Sequence, residues 1–67
     1  MVVTKNIEVV GESPDGWEAA VREAVKEAAK TVRGIMRVKV LSLTAVVEED
    51  KITMYRARVK ITFVVER

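Results

Sequence analysis

The sequence predicts an α+β fold whose elements follow the order β-α-β-β. Three observations support this prediction. Residues 2–10 are rich in Val, Ile and Thr, residues 17–32 place apolar side chains at spacings of three and four, and residues 36–47 and 52–66 are two further β-branched segments. Alternation at every second residue is typical of a strand, and a spacing of three to four is typical of a helix. The chain is therefore predicted to form a strand, a helix and a long hairpin.

The 67 residues are predicted to form one domain, 1–67, which is small for a stable monomer. A chain of this length buries only about 60% of the surface that its unfolded form exposes. The sequence has no cysteine for a disulfide, and neither cysteine nor histidine for a zinc site, so the usual reinforcements of small domains are missing. We therefore expect the chain to associate with copies of itself.

The first strand is predicted to end at Gly11, and signals for a helix follow directly. Ser13 is placed to cap a helix, and Pro14 suits the first helical position, where a backbone N–H is dispensable. Asp15 and Glu18 lie where the helix dipole favours anions. The helix is therefore predicted to begin beside Ser13.

The helix is predicted to run for about five turns and to end before Gly34. One side is apolar and the other is charged, as expected of a helix that packs on a sheet. Alanine on the apolar side lets the helix backbone lie close to a sheet but removes little apolar area from water. The predicted apolar stripe consists of Trp17, Val21, Ala24, Val25, Ala28 and Val32, with Trp17 as a packing residue.

Residues 36–47 and 52–66 are predicted to pair as a hairpin around a two-residue loop, Glu49 and Asp50. This loop fixes which side chains lie opposite each other on the face that covers the helix. The predicted pairs on that face are Val40 with Val59, Val38 with Ile61, Met36 with Phe63, and Thr44 with Tyr55.

The other face of the hairpin is predicted to be half basic and half apolar. A contiguous exposed apolar patch usually marks a partner surface. The cations have three interpretations: pairing with carboxylates of neighbouring subunits, binding of an anionic small molecule, or binding of nucleic acid, which the lack of aromatic residues on this face disfavours. The predicted residues of the face are Arg37, Lys39, Arg56, Arg58 and Lys60, together with Leu41, Leu43, Ala45, Val47, Ile52 and Met54.

Composition disfavours most other functions. The net charge is only +2, which gives no support for a nucleic-acid-binding protein. Without histidine or cysteine the common general bases and thiol nucleophiles are absent, so we expect no enzymatic activity. No apolar stretch is long enough for a membrane helix, and the first ten residues lack the apolar run of a signal peptide. We therefore expect a cytoplasmic protein without a membrane partner.

Three sequence stretches together resemble the dodecin family. They are "GESPDGWEAAV" around the start of the helix, "SLTAVV" in the second strand and "YRARVKITF" in the third. The resemblance covers nearly the whole chain. It implies a three-stranded antiparallel sheet partly wrapped around one helix, assembled into a hollow homododecamer. It also implies a shell that binds and stores or buffers a small ligand, flavin, as riboflavin or FMN.

The resemblance also identifies candidate ligand-binding residues. Flavin-binding dodecins stack a tryptophan of the second strand on the flavin ring and hydrogen-bond the ring with a glutamine of the third strand. Here Arg37 stands at the tryptophan position and Arg56 at the glutamine position. A guanidinium can stack on an aromatic plane, although it lacks the apolar area of tryptophan. The candidate flavin-binding residues are Arg37, Arg56 and, from the apolar part of the same face, Leu43.

An ion is the alternative ligand. Some dodecins that lack the tryptophan are described as calcium binders. The acidic turn Glu48, Glu49 and Asp50 offers the carboxylates that calcium prefers, but it lacks the spacing of a calcium loop, so a solvated turn is the simpler interpretation. We assign no metal ligand. A flavin-free assembly that binds calcium or another ion, or that has a structural role, remains the alternative function.

Overall fold

The structure is a computed structural model that describes residues 2–65. Strand β1 covers Val3–Ser13, helix α1 covers Trp17–Ala28, strand β2 covers Ile35–Glu48 and strand β3 covers Lys51–Val65. The strands form one antiparallel sheet of order β1-β3-β2. The predicted β-α-β-β order and the antiparallel sheet are confirmed. The prediction that the last strand reaches residue 66 lies outside the described residues.

The hairpin between β2 and β3 turns at the two predicted residues. Glu49 and Asp50 both adopt positive φ, 51° and 64°, and Glu48 pairs with Lys51 on either side of them. Two positive φ angles are typical of a type I′ turn, whose twist matches that of the flanking strands. The predicted loop is confirmed.

The helix begins later than predicted. Its N-cap is Gly16, without a side-chain cap, and Ser13 is still part of β1, opposite Tyr55. The Ser13 hydroxyl accepts a hydrogen bond from the Asp15 N–H at 3.1 Å, which stabilises the turn between strand and helix. The prediction that Ser13 caps the helix was wrong, because pairing with β3 holds Ser13 in the sheet.

The helix also ends earlier than predicted, at Ala28, after about three turns. The N–H groups of Thr31 and Val32 both donate to the Ala28 carbonyl at 3.0 Å, and the Thr31 hydroxyl donates to the same oxygen. A threonine hydroxyl that binds a nearby carbonyl competes with the regular helical pattern. Val32 nevertheless packs against the core from outside the helix.

The helix lies very close to β1 and β3 through its alanine side. Ala20, Ala24 and Ala28 are buried, as predicted for Ala24 and Ala28, whereas Ala20 was not part of the predicted stripe. A Cβ atom on Gly11 of β1 would lie 2.0 Å from the Ala20 carbonyl oxygen, so only glycine permits this approach. Across the described residues the buried apolar core consists of Ala20, Ala24, Ala28, Ala57, Val59 and Ile61.

The sheet extends well beyond the helix. The 12 residues of α1 span about 18 Å, whereas the 15 residues of β3 span about 50 Å. The helix packs mainly on β1 and β3 and makes few contacts with β2. The hairpin and the whole length of β2 are therefore left largely uncovered by the chain's own helix.

The register of the hairpin agrees with the prediction only in its central part. Val40 pairs with Val59 and Val38 with Ile61, as predicted. The register is irregular on both sides of this central part. Met36 and Leu41 of β2 have no partner in β3, so each is an extra residue in β2. A third irregularity lies at Val46–Val47. The predicted pairs Met36–Phe63 and Thr44–Tyr55 were wrong: Ile35 pairs with Phe63, and Ala45 pairs with Tyr55.

Candidate ligand-binding surface

The face of the sheet that points away from the helix is called here the outer face. Ala57, Val59 and Ile61 of β3 are buried beneath the helix, so the alternate residues of β3 point to the other side. The prediction that the cationic row faces away from the chain's own helix is confirmed. The outer face includes Asn6, Glu8, Val10 and Glu12 of β1, Arg56, Arg58, Lys60 and Thr62 of β3, and Arg37, Lys39, Ser42 and Thr44 of β2. Met54 also lies on this face, as predicted, opposite Val46.

Leu43 does not lie on the outer face, contrary to the prediction. The extra residue at Leu41 shifts the alternation of β2, so that Leu43 pairs with buried Ala57 on the helix side of the sheet. Ser42 and Thr44 take the outer positions, opposite Arg58 and Arg56. Since the helix does not reach this part of β2, Leu43 remains 49% exposed. Ala45 moves to the helix side for the same reason, opposite Tyr55.

Two cations of the outer face pair with carboxylates of β1 in the same chain. Glu12 lies directly opposite Arg56, whose Nε donates to Glu12 Oε2 at 2.6 Å, and Arg58 Nη1 lies 3.6 Å from Glu8 Oε1. About half of each side chain is exposed, so each pair stabilises the fold by about 1 kcal/mol or less. The pairs fix the positions of both guanidinium groups. These pairs were not predicted, because no sequence pattern places β1 next to β3; the available signal was that Glu8 and Glu12 lie on one face of β1.

The other three cations cluster between β2 and β3. Lys39 lies directly opposite Lys60, and Arg37 lies opposite Thr62. The Thr62 hydroxyl points towards β1, where it donates to Asn6 Oδ1 at 2.6 Å. Within residues 2–65, none of these three cations forms an ion pair. The positive charge of the outer face is therefore concentrated on the side of β2.

The two candidate flavin residues share the outer face but are far apart in one chain. Arg37 lies at the level of Thr62 and Arg56 lies six residues away along β3, which is about 20 Å. A shallow cleft of about 320 Å³ lies at the end of the sheet near Val65, and it is lined by residues that include Lys5, Arg33 and Phe63. None of Arg37, Leu43 and Arg56 lines the cleft found among the described residues.

Trp17 links the start of the helix to the hairpin. Its indole Nε1 donates to the Thr44 carbonyl at 2.9 Å, and its ring meets the Tyr55 ring edge-on, with 4.9 Å between centroids. The predicted packing role agrees with these contacts, although the side chain is 39% exposed. Trp17 lies on the helix side of the sheet with Tyr55, away from the outer face.

The acidic turn does not gather ligands for a metal by itself. Within the described part of the chain, no three Asp or Glu side chains are close enough to hold one ion together. Among the same residues, no helix is long and apolar enough to cross a lipid bilayer.

Comparison with known proteins identifies the family. The family model described as Dodecin matches residues 3–66. The calcium dodecin of Mycobacterium tuberculosis is 33% identical over 63 residues, which cover 94% of this chain and 89% of that protein. Its crystal structure, described as having a novel calcium-binding site, aligns with a TM-score of 0.82 at 34% identity, over 96% of this chain and 91% of that chain. An arginine-to-alanine mutant of the Thermus thermophilus dodecin aligns with a TM-score of 0.95 at 30% identity, over 100% of both chains. The chain therefore belongs to the dodecin family.

Proposed function

We propose that this dodecin is a non-enzymatic, closed homo-oligomer that binds and stores or buffers a small ligand, with flavin, as riboflavin or FMN, as the first candidate. The observation that carries the proposal is the exposure of Arg37 and Arg56 on the outer face, at the positions aligned with the flavin-contacting residues of the family. The absence of histidine and cysteine from the sequence supports a binding role without catalysis.

Self-association is supported by the apolar residues that the helix leaves uncovered. On the helix side of β2, Val38, Val40 and Leu43 are 36%, 44% and 49% exposed. Within residues 2–65, four of the six buried core residues are alanines, which contribute little apolar burial. A second copy that covers β2 would supply the missing burial. We propose a homododecamer, the assembly implied by the family.

The mass of the assembly tests this part of the proposal. Multi-angle light scattering at micromolar concentration should give about twelve times the subunit mass of 7.5 kDa. A mass of 7.5 kDa under these conditions would show that the exposed β2 surface needs no partner.

Flavin binding would use two subunits. Because Arg37 and Arg56 lie about 20 Å apart along one sheet, a single flavin ring cannot contact both in one chain. Arg37 of one copy and Arg56 of another could meet across an interface of outer faces. The planar guanidinium of Arg37 would stack on the ring, and Arg56, held by Glu12, would donate hydrogen bonds to it.

Restoring the residues of flavin-binding dodecins tests the site. The double substitution Arg37→Trp and Arg56→Gln should tighten riboflavin binding and quench flavin fluorescence, because tryptophan adds stacking area and glutamine removes a like charge. Arg22→Trp is a matched control, since it makes the same exchange on the exposed surface of the helix. Negligible riboflavin affinity of the double variant in an intact oligomer would show that the outer face serves assembly instead.

Calcium is the second candidate, favoured by the 33% identity to a calcium dodecin. No three carboxylates converge within residues 2–65, so an ion site would combine side chains from more than one subunit. The acidic turn Glu48, Glu49 and Asp50 is the candidate source of ligands. Calorimetric titration of the oligomer with Ca²⁺ should give saturable heat that Glu49→Gln removes. Identical heats for the parent and this variant would exclude the turn.

A further inference from the structure

The early end of the helix leaves one end of the sheet without a helix above it. The buried row of β3 that ends at Ile61 continues on the same face with Phe63 and Val65, which are only half-buried. The helix stops at Ala28, so the chain that follows it borders these residues instead. The shallow cleft of about 320 Å³ lies between this segment and the end of the sheet.

The cleft combines apolar walls with two cations. Val32, Phe63 and Val65 supply apolar surface, while Lys5, directly opposite Phe63, and Arg33 supply the charges. Long cationic side chains lay their stems along apolar surface and keep the charged group at its edge. Among the described residues, no acid lines the cleft, and neither Lys5 nor Arg33 forms an ion pair. The cleft is therefore positively charged at its edge.

Hydrogen bonds hold the segment that borders the cleft. The Val64 N–H donates to the Gly34 carbonyl at 3.0 Å, and Gly34 has a φ of 74°, which favours glycine. The Thr31 N–H and hydroxyl donate to the Ala28 carbonyl at 3.0 and 3.3 Å, and Val32 packs against the core. The cleft thus exists without a ligand, and binding does not have to order this segment.

Size and charge indicate the class of ligand. Ligand sites usually enclose about 300–1,000 Å³, and a water-sized group takes about 30 Å³, so this cleft has room for about ten non-hydrogen atoms. Exposed charges contribute little binding energy, so most of it must come from an apolar part of the ligand. A guanidinium such as that of Arg33 pairs with a carboxylate through two parallel hydrogen bonds.

We propose that the cleft of Lys5, Arg33 and Phe63 binds a small aromatic carboxylate, at a site separate from the outer face. The ring of the ligand lies on Phe63, the carboxylate pairs with Arg33, and Lys5 adds a second positive charge. The cleft contains none of the candidate flavin residues, so this inference goes beyond the proposed function and does not depend on it. Since no residue of β2 lines the cleft, a copy that covers the apolar residues of β2 leaves it accessible.

Ligand-observed NMR of the intact oligomer tests the site, with 3-phenylpropanoate as the probe. Broadening of its signals should saturate with a Kd of about 1–10 mM, the affinity expected of a ligand of this size in a shallow site. The neutral amide of the same shape, 3-phenylpropanamide, should bind about fivefold more weakly, because it cannot pair with the cations. Acetate, which has the charge without the ring, should bind too weakly to saturate.

Substitutions locate the bound probe. Arg33→Gln and Lys5→Gln should each weaken binding of the carboxylate about threefold and leave binding of the amide nearly unchanged. Lys26→Gln, which removes a charge from the exposed helix surface, is the matched control and should change neither affinity.

Three results would overturn the inference. The first is equal affinity for the carboxylate and the amide, or for the parent and Arg33→Gln. The second is loss of binding in Arg37→Gln but not in Arg33→Gln, which would place the probe on the outer face. The third is no saturable broadening with the intact oligomer, as expected if a neighbouring subunit fills the cleft. Because none of these measurements uses flavin, a failure of flavin binding leaves the inference standing.

Discussion

Substitution of Gly11 by alanine probes how closely the helix packs on β1. An added Cβ would lie 2.0 Å from the Ala20 carbonyl oxygen, 2.8 Å from the Ala24 nitrogen and 2.9 Å from the Ala24 Cβ. The two nearest atoms belong to the helix backbone, so no side-chain rotation relieves the overlap. The helix must move away from the sheet, which loosens the contacts of the alanine side with Val59 and Ile61.

The expected loss follows from this geometry. Overpacking a core costs about 1–3 kcal/mol, and a rigid backbone contact belongs at the upper end of that range. Replacing glycine by alanine also restricts the unfolded chain, which offsets about 0.4–1 kcal/mol. We expect Gly11→Ala to lower the free energy of unfolding by about 2 kcal/mol, or the Tm by about 8–16 °C.

Thermal unfolding followed by circular dichroism measures the effect, at one fixed protein concentration because association adds stability. Val10→Ala is the matched control: Val10 adjoins Gly11 but lies on the outer face, 51% exposed. In the Gly11→Ala background, Ala24→Gly should not restore the Tm, because the Ala20 carbonyl remains in place. A Tm of Gly11→Ala within about 2 °C of the parent, or full rescue by Ala24→Gly, would refute the proposed close approach.

Three further substitutions test other contacts. Leu43→Asp places a charge in the uncovered apolar part of β2, so it should dissociate the oligomer or prevent its assembly. Light scattering would detect this as a fall in mass, and an unchanged mass would show that Leu43 is not in the interface. Trp17→Phe keeps an aromatic ring near the hairpin but loses the hydrogen bond to Thr44, so the free energy of unfolding measured by circular dichroism should fall by about 0.5–1 kcal/mol. A loss of several kcal/mol would contradict the exposed position of that bond. Glu12→Gln breaks the ion pair with Arg56 and should lower the free energy of unfolding by less than about 1 kcal/mol. Salt at about 0.5 M should remove this difference between variant and parent, and a larger loss would show that the pair is buried in the assembly.

The candidate surface was only partly predictable from the sequence. Alternation along β3 was enough to place Arg56 on the side away from the helix, because one face of a strand beneath a helix must be apolar. The partners of the cations were not predictable in the same way. Glu12 meets Arg56 only because β1 pairs with β3, and the order of strands in a sheet depends on packing among all the elements.

The sequence by itself determined the order of the elements, the two-residue turn at Glu49 and Asp50, and the alanine side of the helix. These features depend on local backbone preferences and on periodicity within single segments. Only the tertiary structure decided the face of Leu43. The alternation of β2 changes phase at Val40–Leu41, because Val38 and Val40 are apolar before it and Leu43 and Ala45 after it. This change of phase fits either an apolar patch on the outer face or an extra residue in the strand, and pairing with β3 shows that Leu41 is the extra residue. The length of the helix and the close contact at Gly11 were decided in the same way, because both depend on how the helix lies against the sheet.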